Sequence, residues 1–331
     1  MERIRKVKKK LLPWGIVLAV GLLVTALIIN SKNNMNRIEF GAAYEYSQIN
    51  AVMSVMKEKK LLEKYMPSNV DVKWSMFDSG SDRRDALATE KVAIGVLENT
   101  KAITSIENGY PIQVVAGGTM QTTGVYSANP NIKSAKDLKG KKIAYPGTKN
   151  LILKNDFKDN FGIEISEDNL IQVGEADMIS MLVQGQVDGA VLTNTMVVKA
   201  QELSSDVHLV RDLTDETEVL GVANWFMGST GYFEKHPELL EPAYKAYAEA
   251  IDLINEDPHA MAEMLAPLFE IDAQLIENEF RAFPPSVEVY GYDEVAKILL
   301  ENGDLDQAAA PFASLPNYAS IPKKQAGEGK N

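Results

Sequence analysis

The sequence predicts an α/β protein built from two lobes. At 331 residues the chain exceeds one ordinary domain and suits two units of about 100–200 residues each. Short apolar segments with strand character alternate with amphipathic helical segments from about residue 37 to residue 213. The 45% hydrophobic and 24% charged content is typical of a protein that buries cores of this size. Alternation of this kind favours the α/β class.

The N-terminal 35 residues predict a membrane anchor and linker. Residues 1–10, "MERIRKVKKK", hold six basic residues and one acid, and residues 11–30 carry no charge. A helix of that length crosses a hydrocarbon core of about 30 Å, and the basic residues should stay cytoplasmic. The rest of the chain would then lie outside the cytoplasm. A signal peptide cleaved near Val24–Ala26 is the alternative, and it would leave a periplasmic or secreted protein.

Charge and composition exclude several classes of function. The net charge is −12 although the first ten residues are basic, so the body of the protein would be repelled by nucleic acid. No cysteine is present, which excludes disulfides, zinc-thiolate sites and thiol nucleophiles. His208, His236 and His259 are far apart in the chain. We therefore predict no metal site, no cofactor, no catalytic residue and no enzymatic activity.

Residues 36–122 predict the first part of lobe 1. "RIEFGAA" predicts a strand, and Ser47 can cap a helix whose apolar face includes Ile49, Val52 and Met56. "VDVKWSMF" alternates as a strand does, and "KVAIGVL" and "IQVVAGG" are short apolar strands. Each strand is followed by polar residues at a helix start. In a parallel sheet such ends meet at one edge, so we expect a ligand cleft there.

Residues 123–224 predict lobe 2, and the stretch "SAKDLKGKKIAYPGTKN" is its clearest segment. Ser134 can cap a short helix, Gly140 can end it in the left-handed conformation, and "KKIAYP" forms a strand of three or four residues. Thr148 and Asn150 then fall at the start of a helix. The free N–H groups there favour an anionic or polar ligand group. The alternative is that Thr148 only caps its own helix.

The remaining residues predict helices that return to lobe 1. Amphipathic helices are expected over residues 236–255, 258–269, 273–283 and 293–302, within a return segment of residues 225–310. Residues 311–331 contain Pro, Gly and Lys and are expected to be disordered.

Several segments, in order over roughly residues 36–300, resemble one protein family. They include "IKSAKDLKGKKIAYPGTKN", "VAIGVLENT", "IQVVAGGT" and "EADMISMLVQGQVDGAVL". They resemble ABC-transporter solute-binding proteins of the nitrate/sulfonate/taurine and thiamine-precursor type. The resemblance implies a two-lobed periplasmic-binding-protein-like fold (type II) that closes on a small-molecule solute. The resemblance also implies that the protein is a monomer, uses no cofactor and delivers the solute to a membrane permease and its ATPase.

The resemblance implies a pocket lined by residues at the ends of strands. Carried over by position, these are Tyr44, Glu45, Tyr46, Ser79, Ser81, Glu98, Asn99, Thr100, Thr119, Thr148, Asn150, Thr193, Asn194, Thr195 and Trp225.

Some features depart from the family pattern. "TNTMV" replaces an aromatic and acidic loop, and Glu98 replaces a small residue. Arg83 and Arg84 are the arginines of the predicted loops, and we expect them on an outer helix face. Two tyrosines and a carboxylate favour a solute with a flat or cationic part over a simple sulfonate or nitrate.

Two other functions stay open at this point. One is a membrane-anchored sensor or accessory domain with the same fold. The other is an enzyme similar to the fungal thiamine-pyrimidine synthase, which shares this architecture but depends on an active-site histidine and a cysteine-rich motif.

Overall fold

The computed structural model describes residues 36–43, 46–77, 79–119, 123–145, 150–213, 224–289 and 291–321. The expected anchor, residues 11–30, lies outside these ranges. Within them, no helix combines the length and apolar character needed to cross a bilayer.

Two five-stranded sheets organise the described chain. The first sheet has the order β2-β1-β3-β10-β4, with β10 antiparallel to β3 and β4 and the pairs of β1 parallel. Its strands are β1 (Asn36–Ala43), β2 (Val70–Phe77), β3 (Ile94–Glu98), β4 (Ile112–Thr119) and β10 (Asn224–Ser229). β3, β4 and β10 are buried on both faces, which explains their continuous apolar sequences.

Helices cover both faces of the first sheet. One face packs against α1 (Gln48–Glu58), α2 (Leu61–Tyr65), α8 (Thr230–Lys235), α9 (Leu240–Glu256), α10 (Pro258–Phe269) and α11 (Ala273–Ala282). The opposite face packs against α3 (Gly80–Ala88), α4 (Asn99–Glu107) and α12 (Tyr292–Glu301). We call this body, residues 36–119 and 224–321, the first unit.

The second sheet lies in residues 123–213, which we call the second unit. Its order is β7-β6-β8-β5-β9, with β6 parallel to β7 and β8, and with β5 antiparallel to β8 and β9. The strands are β5 (Thr123–Ser127), β6 (Ile143–Tyr145), β7 (Leu170–Gln172), β8 (Gly189–Thr193) and β9 (His208–Asp212). The helices are α5 (Asn150–Phe161), α6 (Glu175–Val183) and α7 (Asn194–Leu203).

Local sequence explains the short strand β6. Ser134 and Asp137 form a capping box at the 3₁₀ turn Ala135–Leu138, and Gly140 ends this segment with φ +70°. β6 then has three residues, all buried. The prediction of a two-sheet α/β fold is confirmed.

Two segments differ from the sequence-based expectation. Asn224–Ser229 is a strand that lies between β3 and β4, whereas the sequence predicted a helical return segment from residue 225. Residues 311–321, expected to be disordered, form two 3₁₀ turns, and Leu315 and Ile321 are buried against the first unit. Phe312 stacks on Tyr292 at 5.2 Å between ring centroids. The buried side chains of Leu315 and Ile321 and the stacked ring of Phe312 attach this segment to the first unit.

Candidate functional site

The carboxyl ends of the parallel strands define a polar edge on each sheet. In the first sheet, Glu98 and Thr119 are both register partners of Asn224, so three polar residues lie side by side. In the second sheet, Thr193 is the register partner of Thr123. The sequence places a polar residue at each of these strand ends, which is the arrangement expected of a binding edge.

The connections bring the two edges close together. Thr119 ends β4 and Thr123 begins β5, so four peptide links of about 3.8 Å hold their Cα atoms within about 15 Å. Helix α11 of the first unit also contacts helix α7 of the second. Burial raises the pKa of Tyr145, and Asp304 of the first unit adds to that increase. The two units are therefore in contact beside their polar edges.

Two of the helices at these edges begin without a side-chain cap among the described residues. Glu98 is the N-cap of α4 and Thr193 is the N-cap of α7, and neither side chain accepts a hydrogen bond from its helix. N–H groups at such ends are available to a ligand unless a nearby side chain accepts from them, as Asn99 Oδ1 does from the Thr100 N–H of α4. Ser79 differs, because its hydroxyl accepts a hydrogen bond from the Asp82 N–H at 3.1 Å and so caps α3.

Basic groups lie beside the polar residues of the first edge. The Lys101 ammonium donates to the Ser81 hydroxyl at 3.1 Å. The Arg83 guanidinium donates from Nε to the Val96 carbonyl at 3.1 Å, and its buried Nη1 has no hydrogen-bond partner among the described residues. Burial lowers the pKa of Arg83, and the nearby Glu98 carboxylate opposes that decrease. Arg83 therefore faces β3 rather than the outer surface, and it partly balances the charge of Glu98.

Arg84, also expected on the outer helix face, is only partly exposed: its side chain is 24% exposed. Its guanidinium pairs with Asp85 at 2.7 Å and lies 4.5 Å from the centroid of the Tyr110 ring.

Thr119 and Trp225 are buried, and each has a polar atom without a partner in the part of the chain that the structure describes. Thr119 is 1% exposed, and its Oγ1 makes no hydrogen bond there. Trp225 is fully buried, its Nε1 is likewise unpartnered, and its ring stacks on Tyr292 at 5.5 Å. Unpartnered buried polar atoms are rare in proteins and call for an explanation. A bound solute would supply one for Thr119, whereas the Trp225 ring belongs to the core.

Asn99 and Thr100 form the first turn of α4. The Asn99 side chain is 8% exposed, and its Oδ1 accepts a hydrogen bond from the Thr100 N–H at 2.7 Å. This contact orders the turn directly after Glu98.

A buried polar cluster near β1 was not expected from the sequence. The Tyr46 hydroxyl donates to Oε2 of Glu279 at 2.7 Å, and Glu279 is 3% exposed. Burial raises the pKa of Glu279 to about 7, and the hydrogen bond from Tyr46 opposes that increase. Gln48 is fully buried and donates from its amide to the Phe283 carbonyl. One sequence feature could have revealed Glu279: it interrupts the apolar stripe of Ile276, Phe280 and Phe283.

Part of the predicted pocket falls outside the description. Tyr44, Glu45 and Thr148 are not among the described residues, and the side chains of Asn150, Asn194 and Thr195 are not described either. The pocket assignment therefore remains a prediction for these positions.

Other features lie away from the two polar edges. A shallow cavity of about 300 Å³ is lined by Ala128, Asn129, Leu182, Val183, Gln184, Gly185, Val187 and Asp188, at the opposite end of the second sheet.

His208 begins β9 and pairs with Ser127, His236 follows α8, and His259 contacts Glu277. Within the described ranges, no group of three His, Asp or Glu residues is arranged to hold a metal ion.

Comparison with known proteins places these features in a family context. The family model described as NMT1/THI5 like matches residues 65–261, more than half of the chain. One relative is a protein of Bacillus subtilis (strain 168) that is provisionally named an aliphatic sulfonates-binding protein. It is 22% identical to this chain over 256 residues, which are 76% of each chain. The crystal structure of the periplasmic aliphatic sulphonate binding protein SsuA from Escherichia coli superposes with a TM-score of 0.71 at 20% identity. That match covers 86% of this chain and 99% of the other.

An enzyme also matches, over a smaller share. The 4-amino-5-hydroxymethyl-2-methylpyrimidine phosphate synthase of Schizosaccharomyces pombe is 23% identical over 217 residues, 60% of this chain and 61% of the enzyme.

Proposed function

Because the chain belongs to the NMT1/THI5-like family, we propose that it is a solute-binding protein that captures a small organic molecule between its two units. The observation that carries the proposal is the pair of polar strand edges, one on each sheet, joined directly between Thr119 and Thr123. A solute that contacts both edges would favour the closed arrangement by the difference in contacts between the open and closed states.

The transport role follows from the resemblance to binding components of ABC importers. In this proposal residues 11–30 anchor the protein to the membrane, or direct its export if they are cleaved. The two units then lie outside the cytoplasm and present the solute to a permease and its ATPase. The names of the two sulfonate-binding relatives, one of which is periplasmic, support solute binding outside the cytoplasm.

The proposed solute contacts are the predicted strand-end residues. Glu98, Asn99 and Thr119 lie on the first edge and Thr193 on the second, while Tyr46 follows β1 and donates to the buried Glu279. Lys101 and Arg83 would favour an anionic group near α4, whereas the tyrosine and carboxylate groups would favour a flat or cationic part. A solute carrying both kinds of group fits this distribution.

Catalysis is the second candidate, because the fission yeast relative is named as a synthase. The chain has no cysteine, and its three histidines lie away from the polar edges. We therefore favour binding without conversion of the solute.

Native mass spectrometry of the full chain, purified in mild detergent without refolding, tests the proposal. A co-purified small molecule released intact on denaturation would support binding. A released molecule that is chemically altered after incubation would support catalysis, and an empty protein that binds none of a panel of sulfonates, nitrate and aminopyrimidines would contradict the proposal.

Thr119→Val provides a matched test of the site. The substitution keeps the shape of the side chain and removes the hydroxyl, which has no partner among the described residues. Affinity for the identified solute should fall by about 1–2 kcal/mol while the melting temperature stays the same or rises. Unchanged affinity would remove Thr119 from the site.

A further inference from the structure

The two sheets have four edge strands, and three of them are protected. An edge strand exposes a row of backbone N–H and C=O groups that can pair with another chain, and proteins normally cover, shorten or distort such edges. Residues 286–287 cover β4, because the Gly117 N–H donates to the Val287 carbonyl at 2.7 Å. β7 has only three residues, and β9 has a shift in its register with β5.

Strand β2 differs from these three edges. All eight of its residues pair in continuous parallel register with β1, and the strand contains no proline. β1 is its one strand partner among the described residues. Phe77 is buried, and the other seven residues of β2 are at least partly exposed. β2 is therefore a long, regular edge to which another strand can be added.

The two faces of β2 carry different side chains. Val70, Val72 and Trp74 pack against the apolar core of the first unit. Asp71 and Lys73 lie on the opposite face, where their charged groups are 3.1 Å apart and their side chains are 34% and 49% exposed. A lysine on an edge strand normally opposes pairing. Here an aspartate two residues away carries the opposite charge, so the edge is complementary to a strand that has the same sequence and runs the other way.

Antiparallel pairing of β2 with a second copy, centred on Val72, brings these charges together. Asp71 of each copy then lies opposite Lys73 of the other, which gives two cross-strand ion pairs. On the other face, Val70 of each copy lies beside Trp74 of the other, and the two Val72 residues lie beside each other. Moving the centre by one residue places Asp71 against Asp71 or Lys73 against Lys73, which is unfavourable. Charge therefore selects one register.

We propose that β2 is a dimerisation edge: two copies of this chain pair their β2 strands antiparallel across a two-fold axis at Val72 and so join their first sheets. The inference goes beyond solute binding and differs from the monomer that the resemblance implies. Residues 70–74 of each copy take part. This contact is small, so the dimer is expected to be weak and reversible.

Single-cysteine crosslinking tests the register, because the chain has no cysteine of its own. In Val72→Cys each thiol lies opposite its own copy, where Cα atoms are about 4.5–5.5 Å apart and a disulfide can form. Val70→Cys is the matched control, the same change on the same face. Its two copies are four residues apart along the strand, at about 14 Å, which is too far for a disulfide.

The full chain in mild detergent is oxidised with copper phenanthroline at several protein concentrations. Val72→Cys should form the covalent dimer at least about 10-fold faster than Val70→Cys. Equal rates in the two variants would overturn the inference. So would protection of Val72→Cys from a thiol reagent in a monomeric protein, because that result means that the segment before residue 36 covers the edge.

Charge exchange tests the partner without a disulfide. Sedimentation velocity in mild detergent measures the monomer–dimer equilibrium of the native chain, which should dimerise as its concentration rises. Lys73→Asp places like charges opposite each other and should raise the dimer dissociation constant about 10-fold or more. The double variant Asp71→Lys, Lys73→Asp exchanges the two charges within the same register and should restore the native dissociation constant.

A native chain that stays monomeric at every concentration would overturn the inference. A dimer that Lys73→Asp leaves unchanged would overturn it as well, because the contact would then lie elsewhere on the protein. The proposed solute-binding function is independent of these results, since it depends on whether a solute co-purifies with the chain.

Discussion

Two buried carboxylates, one in each unit, differ in their partners. Asp156 of the second unit is fully buried on α5, and Nε of Arg211 lies 3.0 Å from both of its carboxylate oxygens. Asn160 adds a hydrogen bond to Asp156 at 2.8 Å. Glu279 of the first unit is 3% exposed, and its described partner is the neutral Tyr46.

The difference indicates two kinds of role. The charge of Asp156 is balanced inside the second unit, where the ion pair joins α5 to β9 and so fixes the helix that begins at Asn150. A buried charge of this kind serves the structure. The charge of Glu279 is not balanced among the described residues, so this carboxyl must keep a proton or find an external donor.

The largest expected effect comes from breaking the ion pair. Arg211→Met keeps most of the side-chain volume but leaves Asp156 as a buried carboxylate without its cation. The free energy of unfolding, measured with urea at pH 7.5, should fall by about 3–5 kcal/mol. The double variant with Asp156→Leu should recover most of the loss, since an apolar pair of similar size replaces the ions. A loss below about 1 kcal/mol in Arg211→Met would show that the pair is not structural.

The second prediction concerns the pH dependence of stability. The folded-state pKa of Glu279 is raised from 4.5 to about 7, so the folded protein retains a proton that the unfolded chain releases. This contribution to stability is fully present below pH 4.5 and is lost as the pH rises to about 7. We expect the free energy of unfolding of the native chain to fall over this range by about 3 kcal/mol relative to Glu279→Gln.

Urea unfolding of both proteins at several pH values measures this difference. Parallel pH profiles would contradict it and would mean that Glu279 has a charged partner beyond the described residues.

Most of the fold could be predicted from local sequence. The alternation in "VDVKWSMF", the Ser47 cap and the Gly140 stop each encode their element within a few residues, and the structure has them where they were expected. Helix Pro258–Phe269 begins and ends at the predicted residues. The strand Asn224–Ser229 was missed because its register depends on β3 and β4, which are more than 100 residues away in the chain.

The candidate site could be predicted only in part. Glu98, Thr119 and Thr193 were carried over by position from the family resemblance, and each ends a strand in the structure, although their contact with a solute remains a prediction. Glu279 was not identified, because its partner Tyr46 is 233 residues away and only folding brings them together. The face of α3 on which the Arg83 side chain lies was also not predictable. This nine-residue helix has no strong amphipathic pattern, and its two arginines are adjacent.

A smaller effect is expected from Tyr46→Phe. The variant removes the donor to Glu279 and should lower the free energy of unfolding at pH 7.5 by about 1–2 kcal/mol. Because the hydrogen bond from Tyr46 lowers the pKa of Glu279, its loss should also move the midpoint of the pH profile above 7. An unchanged midpoint would show that the 2.7 Å contact does not persist in solution.

The smallest effect is expected at a third carboxylate, Glu277, two residues before Glu279 on α11. Glu277 pairs with Arg281 at 2.7 Å and with His259 at 2.8 Å, so it has more cationic partners than Glu279. Both of those partners are exposed, so water screens the pairs even though the Glu277 side chain is itself 12% exposed. Glu277→Gln should therefore leave the melting temperature at pH 7.5 unchanged within error, measured beside Glu279→Gln. A clear loss in Glu277→Gln would mean that the number of partners, rather than burial, determines how much each carboxylate contributes.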